Sequence, residues 1–202
     1  MASALAADAE FDHDFITWVK PNWLRLFSGE FNISAGEPIS YLEIGCFEGR
    51  SMIFMMEEVL THPSSRATCV DPFIGVDADF GRFEEAANFD RGALKSRFLS
   101  NLEPYSRKLT TLQATSGQAL RMMTPGSFDV IYIDGDHSAA AALEDAVLSW
   151  PLLRSGGLLI FDDYGAEDNL SWPKVGIDGF LAAYAPQLTV VTRLYQVYVL
   201  KH

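Results

Sequence analysis

The sequence predicts a doubly wound α/β domain whose mostly parallel sheet closes with a C-terminal antiparallel hairpin. Three observations predict it. Short apolar runs alternate with segments of helical spacing from Ser40 onward. The first run breaks into a glycine-rich turn, Gly45-Cys46-Phe47-Glu48-Gly49. Two later runs, Val130–Ile133 and Leu158–Phe161, end in Asp134-Gly135-Asp136-His137 and in Asp162-Asp163. Ligands of an open α/β sheet bind at the carboxyl ends of its strands, so these acids mark the floor of a site.

Bulk properties narrow the class. A chain of 202 residues is long enough for one domain with a sizeable core. With 49 % hydrophobic and 21 % charged residues it is not a disordered polymer. A net charge of −12 disfavours a nucleic-acid partner, which needs clustered Lys and Arg. No apolar run approaches the roughly 18–20 residues of a membrane span. Met1–Glu10 lacks the basic and apolar parts of a secretory leader. Cys46 and Cys69 show neither CxxC nor zinc spacing, which fits a reducing cytoplasm.

In chain order, Phe15, Trp18, Val19, Trp23, Leu24 and Phe27 make an aromatic stripe at roughly helical spacing. Pro21 suits the first residue of a second short helix there. The stripe is read as core packing, with a lid over a pocket or a dimer contact as the alternatives. Ser40–Ile44 is a strand, followed by the glycine turn and a helix marked by Met52, Met55, Met56, Val59 and Leu60. Phe47 breaks the dinucleotide pattern G-x-G-x-x-G, and Glu43 precedes the turn. A carboxylate here repels a pyrophosphate and favours an ammonium- or sulfonium-bearing ligand.

Ala67–Val70 is the second strand. It ends in Asp71, where an acid commonly accepts hydrogen bonds from ribose or else caps a turn. Phe73 either lies against an adenine face or packs internally. Leu94, Phe98 and Leu102 mark a helix ended by Pro104, after an irregular polar stretch at 76–90. Leu109–Gln113 is a strand, and Ser116 either caps the next helix or faces a cofactor base. Leu143, Ala146, Val147 and Trp150 share a helix face between the two acid-tipped strands. A helix at 176–184 and strands at 188–191 and 196–200 complete the order.

Three converging carboxylates repel one another unless a cation sits among them, and hard cations such as Mg²⁺ take oxygen ligands. The alternative is strand-end acids that cap turns and face solvent.

Together, Glu43-Ile44-Gly45, Gly49, Ser51, Asp71, Ser116, Asp134-Gly135-Asp136-His137, Gly156-Gly157 and Asp162-Asp163-Tyr164 resemble class I S-adenosylmethionine-dependent methyltransferases. The match is nearest to the macrocin- and novobiocin-type O-methyltransferase branch, to which cephalosporin-hydroxylase-like proteins are related. The resemblance implies a Rossmann-like domain at 31–202 behind an aromatic helical segment at 1–30. It implies that S-adenosylmethionine lies on Glu43, Gly45, Phe47, Gly49, Ser51, Asp71, Phe73, Ser116 and Asp134. Within that set, Gly45 and Gly49 surround the methionine portion, Ser51 faces its carboxylate and Asp71 holds the ribose. It places Mg²⁺ or another divalent cation on Asp134, Asp162 and Asp163. Catechol- and caffeoyl-type relatives carry Asp-Asn where this chain has Asp162-Asp163, and Lys where it has His137. His137 and Asp136 are therefore the two candidates for the base. The expected partner is a small hydroxylated acceptor such as a phenol, catechol or sugar-type natural product, with no nucleic acid and no membrane, and a homodimer is compatible. A non-catalytic S-adenosylmethionine-binding protein and an NAD-dependent oxidoreductase are the rival readings.

Overall fold

The computed structural model describes residues 19–74, 91–166 and 172–202, with residues 9, 11 and 17 ahead of them. Phe15 and Trp18 of the aromatic stripe and the polar stretch at 76–90 lie outside the described residues. Helix α1 (Lys20–Leu26) leads to β1 (Ser40–Ile44), α2 (Arg50–Phe54) and β2 (Arg66–Val70). Helix α3 (Arg91–Asn101) precedes β3 (Leu109–Leu112), and the single turn α4 (Ser116–Ala119) precedes β4 (Phe128–Ile133). Helix α5 (Ala139–Ser149), β5 (Leu153–Phe161), α6 (Trp172–Tyr184), β6 (Leu188–Arg193) and β7 (Val197–Lys201) follow.

The sheet order is β3-β2-β1-β4-β5-β7-β6. Strands β3, β2, β1, β4 and β5 pair in parallel, while β7 runs antiparallel to both β5 and β6. The order reverses between β1 and β4, and at that switch point the two crossovers leave in opposite directions and open a crevice. The glycine turn after β1 and Asp134 after β4 both stand there.

Alternation along the strands divides the core into two layers. Tyr41, Val130, Tyr132, Leu158, Ile160 and Tyr198 face Trp23, Phe54, Met55 and Phe98 on one side. Leu42, Ile131, Leu159, Phe161 and Val199 face Ala142, Ala146, Ile177 and Phe180 on the other. Trp23 is fully buried, meets Phe54 and Tyr132 edge-on, and donates from Nε1 to Gln196 Oε1 at 2.8 Å. Of the stripe's described members, Val19, Trp23 and Phe27 pack in the core, while Leu24 is exposed.

Several local expectations change. Gly156-Gly157 lies inside β5 and not ahead of it, because a register shift opposite Phe128–Val130 lets the strand begin at Leu153. The helix through Met52 widens to a π-turn at Met55–Val59. Of the expected face Ala146 and Trp150 are buried but Leu143 and Val147 are exposed, and the buried stripe of α5 is Ala142, Asp145, Ala146 and Ser149. The reason is the neighbour: α6 comes so close that a Cβ on Gly176 would lie 2.1 Å from the Ala139 carbonyl oxygen. Only the small side of α5 can face it. Cys46 and Cys69 are joined as a disulfide, with Cα atoms 6.3 Å apart. Sequence separation hid this pairing, because β1 and β2 are adjacent parallel strands and bring the two cysteines together. No helix among the described residues is long and apolar enough to cross a membrane.

Candidate active site

The carboxyl edge of the sheet carries the site in two tiers. Across the ladder, Glu43 of β1 pairs with Tyr132 of β4, Tyr132 with Ile160 of β5, and Ile160 with Tyr198 of β7. Two residues nearer the edge on the same strands come Gly45, Asp134, Asp162 and Gln196, which the pleat returns to the same face. Each tyrosine of the lower tier bonds the polar residue above it. Tyr132 donates to Asp162 and lies 3.1 Å from Asp134 Oδ2, and Tyr198 donates to Gln196 Oε1 at 2.7 Å. On β1, Tyr41 likewise donates to Glu43 Oε2 at 2.7 Å.

The glycine turn closes over this edge. Gly45 has φ +80°, and a Cβ there would sit 1.9 Å from the Asp134 carbonyl oxygen, so no other residue fits. Phe47 and Phe73 also hold positive φ, at 45° and 55°. Asp71 stabilises both conformations. Its Oδ2 accepts from Cys46 N and Phe47 N at 2.8 and 3.0 Å, and its Oδ1 accepts from Phe73 N at 2.5 Å. The residue expected to hold ribose thus also holds the turn. Phe73 is buried against Phe98 with ring centroids 5.1 Å apart, which is the packing role. Ser51 donates to Glu43 Oε1 at 2.6 Å, so its hydroxyl points down at the acid beneath the turn. Burial raises the Glu43 carboxyl to about 7, against the bonds from Ser51 and Tyr41.

Ser116 is not the cap of α4, for Thr115 occupies that position. Burial raises the Asp145 carboxyl to about 6, against the nearby Ser116 hydroxyl. A Cβ on Gly135 would lie 3.2 Å from Asp145 Oδ2, so this acid supports the Asp134-Gly135 turn from below.

Beyond β4 and β5 the chain brings Asp134, His137 and Asp163 together. One ligand atom from each lies within 4.8 Å of the others. His137 Nε2 is 3.1 Å from Asp163 Oδ2 and 3.6 Å from Asp134 Oδ1. Asp163 reaches inward because its φ is +53°, which turns the chain back after β5. Tyr195, in the turn between β6 and β7, donates to Asp163 Oδ1. Asp162 stands alongside, its Oδ1 accepting from Asp163 N at 2.8 Å and its Oδ2 from Tyr132. Asp136 is exposed and its Oδ1 accepts from Ser138 N at 2.7 Å, outside the cluster.

Electrostatics follow from this crowding. Burial, then the neighbouring acids, pushes Asp162 above the usual carboxylate range, and burial does the same to Asp134 against the bond from His137. Burial lowers the His137 imidazolium, but Asp134 and Asp163 outweigh it and hold its pKa at about 9. A cleft behind His137 is lined by Ile133, Ala142, Phe161, Pro173 and Ile177. Tyr132, Tyr195 and Asp145 belong to the site and were not singled out in the sequence. The one signal for Tyr132 is its place two residues before an acid on a strand.

A family model described as a methyltransferase domain matches residues 42–164, from β1 through the Asp162-Asp163-Tyr164 turn. The chain belongs to the methyltransferase-domain family. Its seven-stranded sheet with an antiparallel C-terminal pair is the class I S-adenosylmethionine-dependent methyltransferase fold. The methyltransferase of Podospora anserina, solved with S-adenosylhomocysteine, superposes with a TM-score of 0.59 at 15 % identity, covering 91 % of this chain and 78 % of that one. The MycE methyltransferase of the mycinamycin biosynthetic pathway, solved with Mg, S-adenosylhomocysteine and mycinamycin VI, gives 0.58 at 17 %, covering 94 % and 50 %. An uncharacterised protein of Acanthamoeba polyphaga mimivirus is 25 % identical over 128 residues, which are 63 % of this chain and 52 % of that protein. The chain spans about half the length of that relative.

Proposed function

We propose that the protein is an S-adenosylmethionine-dependent O-methyltransferase that uses a divalent cation and acts on a hydroxyl of a small molecule. The observation that carries this reading is the meeting of Asp134, His137 and Asp163 directly beside the turn that Gly45 packs onto Asp134. A methyl donor on the turn and a hydroxyl at the acids would be neighbours.

The residues fit a hard cation. Oxygen donors from Asp134 and Asp163 face one centre, with Asp162 next to them, and their mutual repulsion is relieved by positive charge. Asp134, Asp162 and Asp163 would hold it. A bound divalent cation lowers the pKa of an acceptor hydroxyl. His137, held at about 9 by Asp134 and Asp163, can take a hydroxyl proton on Nε2 only as neutral imidazole, the form that a cation on those two acids would favour. Asp136 is the weaker candidate for base because one of its oxygens is already used by Ser138 N. The acceptor oxygen forms a bond to the methyl carbon as the carbon–sulfur bond breaks, and the pair of electrons stays on sulfur. Rate comes largely from holding oxygen and methyl in line. The Glu43 carboxyl, bonded by Ser51 and Tyr41 beneath the glycine turn, would supply negative charge toward the cationic end of the donor. MycE, of the same fold, was solved with Mg and S-adenosylhomocysteine, which supports the pairing of cation and cofactor.

The test is a thermal-shift screen with S-adenosylhomocysteine, with and without Mg²⁺, followed by catechols, phenols and sugars. Stabilisation by the nucleoside and a further shift by acceptor that requires Mg²⁺ are expected. Methyl transfer undiminished by EDTA would remove the cation from the reading, and absence of any shift with S-adenosylhomocysteine would remove the cofactor.

A further inference from the structure

Tyr132 and Asp134 are two residues apart along one strand direction, so their side chains leave the same face of the sheet. Two residues of strand rise about 6.6 Å, close to the reach of a tyrosine from Cα to hydroxyl. The phenol of Tyr132 therefore arrives level with the carboxylates of the edge. It meets Asp134 Oδ2 at 3.1 Å and also bonds Asp162 Oδ2, which comes from the neighbouring strand. The ring cannot swing away. It is 2 % exposed, with Trp23 edge-on at 4.9 Å.

This contact decides which oxygens remain for a ligand. With Oδ2 of Asp134 turned to Tyr132, its Oδ1 faces His137 Nε2 at 3.6 Å, across the centre from Asp163 Oδ2. Without the hydroxyl, two like-charged carboxylates on adjacent strands would rotate apart, and the centre would lose its preformed geometry. Tyr41 and Tyr198 follow the same two-residue rule, but their hydroxyls bond Glu43 and Gln196. Among the described residues Tyr132 is the tyrosine that bridges carboxylates of two strands.

We propose that Tyr132 is a positioning residue for divalent-cation binding, its hydroxyl fixing Asp134 and Asp162 so that one oxygen of Asp134 is presented to the centre shared with Asp163. The inference rests on the cation reading above. Groups that orient metal ligands from behind typically change affinity by about 10–100-fold.

The experiment titrates Mn²⁺ into EDTA-stripped full-length protein by calorimetry, comparing wild type, Tyr132→Phe and Tyr198→Phe. Each substitution removes one buried phenolic oxygen from the same face and keeps the ring. Tyr132→Phe is expected to weaken Mn²⁺ binding by about 10-fold or more. Tyr198→Phe is expected to leave it unchanged, and both are expected to keep the thermal shift given by S-adenosylhomocysteine. A smaller loss in Tyr132→Phe, or an equal loss in Tyr198→Phe, overturns the inference while leaving the cation reading intact. Wild type that binds no Mn²⁺ overturns the cation reading itself, and this inference with it.

Discussion

Gly45 and Asp134 touch backbone to backbone: a Cβ on the glycine would stand 1.9 Å from the aspartate's carbonyl oxygen. The turn after β1 and the acid after β4 are thus one packed unit at the switch point of the sheet, and displacing either displaces the other.

Gly45→Ala should therefore be among the most damaging small substitutions in the chain. Positive φ costs an L residue about 1–2 kcal/mol, and the backbone overlap adds to it, for a loss of at least about 3 kcal/mol in urea unfolding. Gly126, also at positive φ but with nothing within 4 Å of where a methyl group would stand, is the comparison. Gly126→Ala should lose only about 1 kcal/mol. Equal losses would show that the contact with Asp134 carries no weight.

Asp71→Asn should loosen the turn. The three backbone N–H groups that now meet a carboxylate would meet an amide with a single acceptor oxygen. A loss of about 1–3 kcal/mol is expected, with a matching loss of the thermal shift from S-adenosylhomocysteine. Retained cofactor binding with unaltered stability would contradict this account of Asp71.

Glu43 predicts a pH dependence. Its folded pKa is about 7 against an ordinary value of 4.5, so the folded state binds more protons between those values and stability falls as pH rises through them. At about 1.4 kcal/mol per tenfold of proton affinity, the cost at pH 8 is roughly 3 kcal/mol. Asp134, Asp162 and His137 are all raised and act in the same direction. Metal-free protein should melt lower at pH 8 than at pH 5. Glu43→Gln, which carries no charge at any pH in this range, should narrow that difference. Parallel melting curves for wild type and variant across this range would refute the assignment.

Leu143→Lys and Val147→Lys should each change stability by less than about 0.5 kcal/mol, because both side chains lie on the outer face of α5. Ala146→Leu on the inner face should cost about 1–3 kcal/mol through overpacking. The reverse ranking in chemical denaturation would restore the face expected from apolar spacing.

That last contrast shows where sequence is legible. The strands of the edge were readable because a buried parallel strand is an uninterrupted apolar run, and Asp134, Asp162 and Asp163 stood out where such runs stop. The glycine turn was readable for the same reason. Tyr132 was not, since a tyrosine inside Val130–Ile133 looks like any other core aromatic until the ladder shows which carboxylates its hydroxyl reaches. His137 could be named from its type, but its place between Asp134 and Asp163 depends on the left-handed turn at Asp163. The disulfide was hidden because partners 23 residues apart become neighbours only once β1 and β2 pair. On α5, spacing put Leu143 and Val147 on one face with Ala146, while the close approach at Gly176 leaves both outside.

The hydrogen bond from Trp23 to Gln196 spans 173 residues of chain. During synthesis on the ribosome, the indole of α1 emerges long before its acceptor exists. Contacts of such separation form late, since the intervening loop must first be closed. Until residue 196 has left the tunnel, a nascent chain would carry Trp23 without the acceptor for its indole N–H. Helix α1 is thus among the last of the described elements to gain its full set of contacts.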